Sequence, residues 1–167
     1  MQPNVLCVDD ERDMTDLLRF LLSRAGCEVR SAASGLAALA EVRARAPDLV
    51  VLDLMLPDLD GFSVCEILRR EKATAGIPIL MLTAWATPDA RAHGLNLGAR
   101  DYITKPFRPN DLVDRVRELL GAKGAAGIQL PEGVPDEWQP AAPRESAQGI
   151  HGSRPDRPGA PLQTASS

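Results

Sequence analysis

From its amino terminus the chain alternates short, mostly apolar runs with longer stretches in which apolar residues return at helical spacing. The short runs cover residues 5–8, 28–32, 49–52, 78–82 and 102–103. A strand with one face in water carries polar residues at every second position, so runs that stay apolar imply strands covered by helices on both faces. Between them, Leu17, Leu18, Leu21 and Leu22 mark a buried helical stripe, and Leu36, Leu39, Ala40 and Val42 mark a second. Val64, Ile67 and Leu68 predict a third helix, residues 90–97 a fourth, and Leu112, Val113, Val116, Leu119 and Leu120 a fifth. Gly26 is placed to end the first helix and Pro88 to open the fourth. Five strand–helix units in alternation predict an α/β fold built on a doubly wound parallel sheet.

This pattern stops after Leu120, which sets the expected domain at residues 1–122. Residues 123–167 hold 7 Pro and 6 Gly among 45 residues, within the range of about 25–30% that marks low-complexity chain. The denser patch of Ile128, Leu130, Val134 and Trp138 has neither a helical nor a strand period and is interrupted by Pro131 and Pro135. It reads as part of a disordered tail, with a short docking motif as the alternative.

Composition adds exclusions. A length of 167 residues suits one core. The net charge of −4, with no face that clusters Lys and Arg, gives no pull toward nucleic acid or anionic lipid, so direct nucleic-acid binding is not expected. Cys7, Cys27 and Cys65 sit inside apolar runs without the paired spacing of a zinc site and read as buried, reduced thiols. The chain turns acidic at Asp9, Asp10 and Glu11 before a signal-peptide core could form, and no run approaches a membrane span. The expectation is a cytoplasmic protein without membrane contact.

The chemistry lies where polar residues break the apolar runs. Asp9 and Asp10 end the first strand, Asp53 the third and Thr83 the fourth, while Lys105 follows the fifth. The second strand ends in Ala32 and Ala33, as expected of an edge strand away from a site. Doubly wound sheets bind ligands outside the carboxyl ends of their strands, so these five side chains are expected to converge. Three carboxylates gathered there repel, by roughly 4 kcal/mol for a pair about 4 Å apart at an effective dielectric near 20. A small, hard cation offsets that cost, and Mg²⁺ takes one or two carboxylates, waters and phosphate oxygens. Asp10 and Asp53 are the expected direct ligands, Asp9 acts through water, and the Met55 backbone carbonyl completes the set. Asp53 is then placed to attack phosphorus, with Lys105 neutralising the phosphoryl oxygens and Thr83 donating a hydrogen bond.

Taken singly, each residue has a plainer explanation. An Asp-Asp-Glu run after a strand is also what caps a helix, and a lone Lys105 is ordinarily a solvated charge. Structural roles alone do not require acid, acid, hydroxyl and cation at the ends of four strands in that order.

The chain resembles the receiver domain of two-component response regulators through Val8-Asp9-Asp10-Glu11, Leu52-Asp53-Leu54-Met55-Leu56-Pro57, Asp60-Gly61, Leu82-Thr83-Ala84 and the run from Asp101 to Phe107. The resemblance spans about residues 4–120. It implies a flavodoxin-like strand order of 2-1-3-4-5, phosphoryl transfer from a histidine kinase or phosphotransfer protein, and an unknown downstream target. It implies that Tyr102 turns inward when Thr83 moves toward the phosphate, that the Lys105-Pro106 bond is cis, and that a small Ala84 admits the phosphate. Met55 and Trp85 occupy the positions where the family tunes hydrolysis, and their bulk implies slow loss of the phosphoryl group. Packing or partner contact also accounts for Tyr102 and Trp85. The fourth and fifth helices resemble those of receivers that dimerise through charged pairs, here Arg91 with Asp111 and Asp101 with Arg115; Leu97 and Leu119 depart from that pattern. His93 and His151 read as surface residues.

Other readings stand beside this one. The chain works alone as a diffusible switch or relay, or it is a regulator lacking its output module, with the tail as an orphaned linker. A phosphorylation-independent pseudo-receiver would only bind proteins. A phosphatase of the haloacid-dehalogenase type would use an Asp pair spaced like Asp58 and Asp60, although these follow no strand directly.

Overall fold

The computed structural model describes residues 1–135. Trp138, His151 and the tail beyond residue 135 lie outside the described residues. The elements, in chain order, are β1 (Asn4–Val8), α1 (Arg12–Arg24), β2 (Glu28–Ala32), α2 (Gly35–Ala44), β3 (Leu49–Leu52), α3 (Gly61–Arg70), β4 (Ile79–Thr83), α4 (Pro88–Asn96), β5 (Asp101–Thr104) and α5 (Pro109–Ala125). All neighbouring strands pair in parallel, in the order β2-β1-β3-β4-β5. The fold is thus the flavodoxin-like, doubly wound α/β architecture.

Alternation along β1 shows how the sheet divides the core. Val5 and Cys7 join Leu18, Leu21, Leu22, Val113 and Val116 on the α1–α5 face. Leu6 and Val8 join Val42, Val64, Leu68 and Tyr102 on the opposite face, under α2, α3 and α4. Successive side chains of a strand point to opposite faces, so a strand buried on both must be apolar throughout.

Three helices begin on side-chain caps: Ser34 accepts from the Ala37 N–H, Asp60 from Ser63 and Thr87 from Ala90. Each satisfies a backbone donor that the first helical turn leaves without a partner. Gly26 follows α1 at φ 101°, and a Cβ there would lie 2.7 Å from the Gly127 carbonyl oxygen, so the position needs glycine for conformation and for space.

The buried face of α2 differs from the expected stripe. Gly35, Ala38, Leu39 and Val42 are buried, while Leu36 and Ala40 face solvent. Gly35 sits so close to the loop after β3 that a Cβ would meet the Leu59 carbonyl oxygen at 2.3 Å. That approach turns the helix and leaves Leu36 outside.

The packed unit also runs beyond residue 122. Gly121 interrupts α5 with φ 68° and ψ 178°, and the chain then returns toward the end of α1. Ile128 is buried in the α1–α5 core, with Val134 packed against it. Gln129 N–H donates to the Ala25 carbonyl at 3.0 Å, and Arg117 donates to the Ile128 carbonyl at 2.9 Å. Thus part of the patch read as tail belongs to the core. Cys7, Cys27 and Cys65 are free and buried. Among the described residues, no helix is long and apolar enough to cross a membrane.

Candidate functional site

Backbone hydrogen bonds beyond the strand ends place the site. Asp9 N–H donates to the Ala32 carbonyl at 3.1 Å, Asp53 N–H to the Val8 carbonyl at 2.9 Å, and Lys105 N–H to the Thr83 carbonyl at 2.8 Å. Asp9, Asp53 and Lys105 are therefore tied to the sheet. The Lys105–Pro106 peptide is cis, as the resemblance implies.

Their side chains meet. Lys105 Nζ donates to Asp9 Oδ2 at 2.6 Å and to Asp53 Oδ2 at 3.3 Å, and Glu11 Oε1 lies 3.9 Å away. Asp9 and Asp53 are only 2% and 4% exposed, so water does little to screen this triad. Carboxylate oxygens of Asp9, Asp10 and Asp53 all lie within 4.8 Å of one another, with Asp10 on the solvent side. Three clustered acids with one ammonium leave excess negative charge.

The ionisation of Asp9 reflects its burial. Burial pushes its carboxyl up to about 6, aided by the Asp53 charge, although Lys105 and the Glu11 N–H pull it down. For Lys105, burial favours the neutral amine, but its bond to Asp9 and the charges of Asp9, Asp53 and Glu11 outweigh burial and hold its pKa above the ordinary value. An all-oxygen donor set that is short of positive charge and open toward Asp10 fits a hard divalent cation.

The capping explanation does not account for this cluster. α1 has no side-chain cap. Asp9 Oδ1 does accept from Glu11 N–H at 2.9 Å, yet its other oxygen is committed to Lys105. Asp58 and Asp60, the pair with phosphatase-like spacing, lie elsewhere: Asp58 binds the first amides of α2, and Asp60 caps α3.

Thr83 is fully buried, and its Oγ1 accepts from the Trp85 N–H at 3.2 Å. The hydroxyl keeps its own proton to donate. Tyr102 is buried, with its hydroxyl donating to the Trp85 carbonyl. Ala84, Met55 and Trp85 are exposed. The Trp85 ring packs edge-on against Phe62, and Phe62 packs against the exposed His93.

Sequence reasoning quoted Gly61 without assigning it a role. A Cβ there would lie 2.4 Å from the Asp53 carbonyl oxygen, so glycine lets α3 start directly against the backbone of Asp53. The Asp60-Gly61 pair was the available signal: a cap residue followed by the one residue without a side chain.

On the edge formed by α4, β5 and α5, Asp101 is paired within the chain, 2.9 Å from Arg115 and 3.8 Å from Arg91. Arg91, Tyr102 and Asp111 line one cleft. Leu97 and Leu119 pack against the two cores, which explains why these positions are not charged.

Residues 5–117 match the response regulator receiver domain. The chain belongs to the response regulator receiver family. This receiver is 45% identical over 118 residues to the DNA-binding dual master transcriptional regulator RpaA of Synechocystis, a match covering 71% of the chain and 49% of RpaA. It is 46% identical over 120 residues to the alkaline phosphatase synthesis transcriptional regulatory protein PhoP of Bacillus subtilis, covering 72% of the chain and 49% of that protein. The receiver thus spans about half the length of these curated relatives. In three dimensions it is similar to a response regulator from Chloroflexus aurantiacus, with a TM-score of 0.69 and 41% identity, over 72% of the chain and 98% of that structure. It also resembles the Vibrio cholerae chemotaxis response regulator CheY4, with a TM-score of 0.68 and 31% identity, over 71% of the chain and 99% of that structure. These relationships assign the domain to two-component signalling.

Proposed function

We propose that Asp53 is the phosphoacceptor of this receiver and takes its phosphoryl group from a phosphohistidine on a partner kinase or phosphotransfer protein. The observation that carries this reading is the Lys105 ammonium, bonded at once to Asp9 and Asp53 at the carboxyl edge of the sheet. An Asp53 oxygen attacks phosphorus in line with the leaving imidazole. The phosphorus–nitrogen bond breaks, its electron pair goes to the histidine nitrogen, and Asp53 becomes an acyl phosphate. Lys105 neutralises one phosphoryl oxygen, the Thr83 hydroxyl donates to another, and Ala84 leaves room for the group.

Asp10 and Asp53 would hold Mg²⁺ directly, the Met55 carbonyl would add a ligand, and Asp9 would act through water. When bound, Mg²⁺ neutralises charge on the transferring phosphoryl group. The chain assists its own phosphorylation and dephosphorylation and has no separate substrate.

The switch would run through Trp85, since its N–H meets Thr83 and its carbonyl meets Tyr102. Movement of Thr83 toward a phosphate pulls on the same peptide segment that holds Tyr102. The face around Tyr102 is then the surface offered to a downstream protein or to a second copy through Arg91, Asp101, Asp111 and Arg115. We place this activity in the cytoplasm, in a receiver whose packed unit extends past residue 122 to include Ile128 and Val134. Incubation with acetyl phosphate and Mg²⁺, read by intact mass, tests the proposal: one phosphoryl group is expected on the wild type and none on Asp53→Ala.

A further inference from the structure

The loop between β3 and α3 carries Met55, whose carbonyl the proposed site uses as a metal ligand. A backbone carbonyl can serve that purpose only if its loop is held in place. Three bonds fasten the loop to its own neighbours: Met55 N–H to Asp53 Oδ1 at 3.3 Å, Leu56 N–H to the Leu54 carbonyl at 3.1 Å and Gly61 N–H to the same carbonyl at 3.0 Å. A further fastening reaches across the fold. Asp58 Oδ1 accepts from the Gly35 N–H at 2.9 Å and from its neighbour Leu59 at 2.7 Å, while Oδ2 accepts from the Leu36 N–H at 3.1 Å.

Simple capping does not account for this arrangement. α2 already has Ser34 as its N-cap, accepting from Ala37. Asp58 takes two further amides of that first turn from a position more than twenty residues away in sequence. Gly35 permits the approach, because a Cβ would meet the Leu59 carbonyl oxygen at 2.3 Å. Desolvation pushes the Asp58 carboxyl up, but the N–H groups of Leu59, Leu36 and Gly35 pull it below its ordinary value, so it stays an ionised acceptor.

We propose that Asp58 is a positioning residue for the metal site, tying the β3–α3 loop to the start of α2 and thereby fixing the Met55 carbonyl. This inference rests on the reading of the site given above. Outer-shell partners of metal ligands commonly contribute about 10–100-fold in affinity. Asp58 acts through a single ligand, so the lower end applies.

The test is calorimetric titration of the full chain with MgCl₂, alongside urea unfolding of each variant. Asp58→Ala is expected to weaken Mg²⁺ binding by about tenfold, and Asp58→Asn by less, since an amide oxygen can still accept from Gly35 and Leu59. Thr74→Val is the control for stability, because Thr74 is buried and donates to the Leu68 carbonyl at 2.7 Å, away from the loop. It should unfold more easily while binding Mg²⁺ as the wild type does. Unchanged affinity in Asp58→Ala, or an equal loss in Thr74→Val, overturns the positioning role alone. A wild-type chain that takes up no Mg²⁺ overturns the metal site itself, and this inference with it.

Discussion

The Tyr102 hydroxyl donates to the backbone carbonyl of Trp85, so the aromatic residue of β5 is joined to the loop that follows Thr83. The same Trp85 offers its N–H to Thr83 and is 45% exposed. Its backbone thus links Thr83 and Tyr102, and under the proposed mechanism its ring would hinder water from reaching the acyl phosphate.

Trp85→Ala should therefore shorten the phosphorylated lifetime several-fold. The backbone bonds to Thr83 and Tyr102 remain, and only the bulk is removed. Phosphate release after rapid removal of the donor measures this. An unchanged lifetime would return Trp85 to a packing or partner-contact role.

Mg²⁺ should raise the stability of the wild type, because the proposed site is assembled only in the folded chain. At a free concentration of 100 times Kd the gain is about 2.7 kcal/mol. Asp10→Asn removes one of three mutually repelling charges without touching the Lys105 pairs. It should unfold less readily than the wild type in metal-free buffer, yet gain much less from Mg²⁺. Urea titrations with and without the metal check both signs.

Ile128→Ala should cost about 2 kcal/mol, the lower end for emptying a buried aliphatic site, because Ile128 lies at the margin of the α1–α5 core. The loss appears as a lower urea midpoint with an unchanged slope. A surface tail residue would show no effect.

The cysteines give a pH signature. Burial raises Cys7 to about 12 and Cys27 to about 11 from an ordinary 9.0. The folded state therefore holds these protons more tightly than the unfolded chain. This contribution to stability is fully present below pH 9 and is lost as pH rises toward 12. At pH 8, thiol reagents should react with the folded chain far more slowly than with the urea-unfolded chain.

The site was legible because acid, acid, hydroxyl and cation at the ends of four strands have few innocent explanations in combination, whatever each has alone. Asp9, Asp53 and Lys105 each stand at a strand end, and parallel pairing alone brings those ends together. What depends on backbone approach was not legible. Leu36 fell outside because Gly35, invisible to a hydrophobic period, occupies the buried position. Ile128 was read as tail because its burial follows from the chain turning at Gly121 and passing Gly26. Asp58 serves amides distant in sequence, and no local pattern announces that. Asp101 and Arg115 were read as a charged pair on a dimer face, and the packing of α5 on β5 already joins them within one chain; spacing alone did not show that contact.

The central claim is that Asp53 carries the phosphoryl group. Borohydride reduces the acyl phosphate of an aspartate to homoserine, leaving a permanent mark on the acceptor. After phosphorylation by acetyl phosphate with Mg²⁺, reduction and peptide sequencing by mass spectrometry should find homoserine at position 53 in the wild type and nowhere in Lys105-intact Asp53→Ala. Homoserine at Asp9 or Asp10, or none after phosphate has been incorporated, would contradict the account.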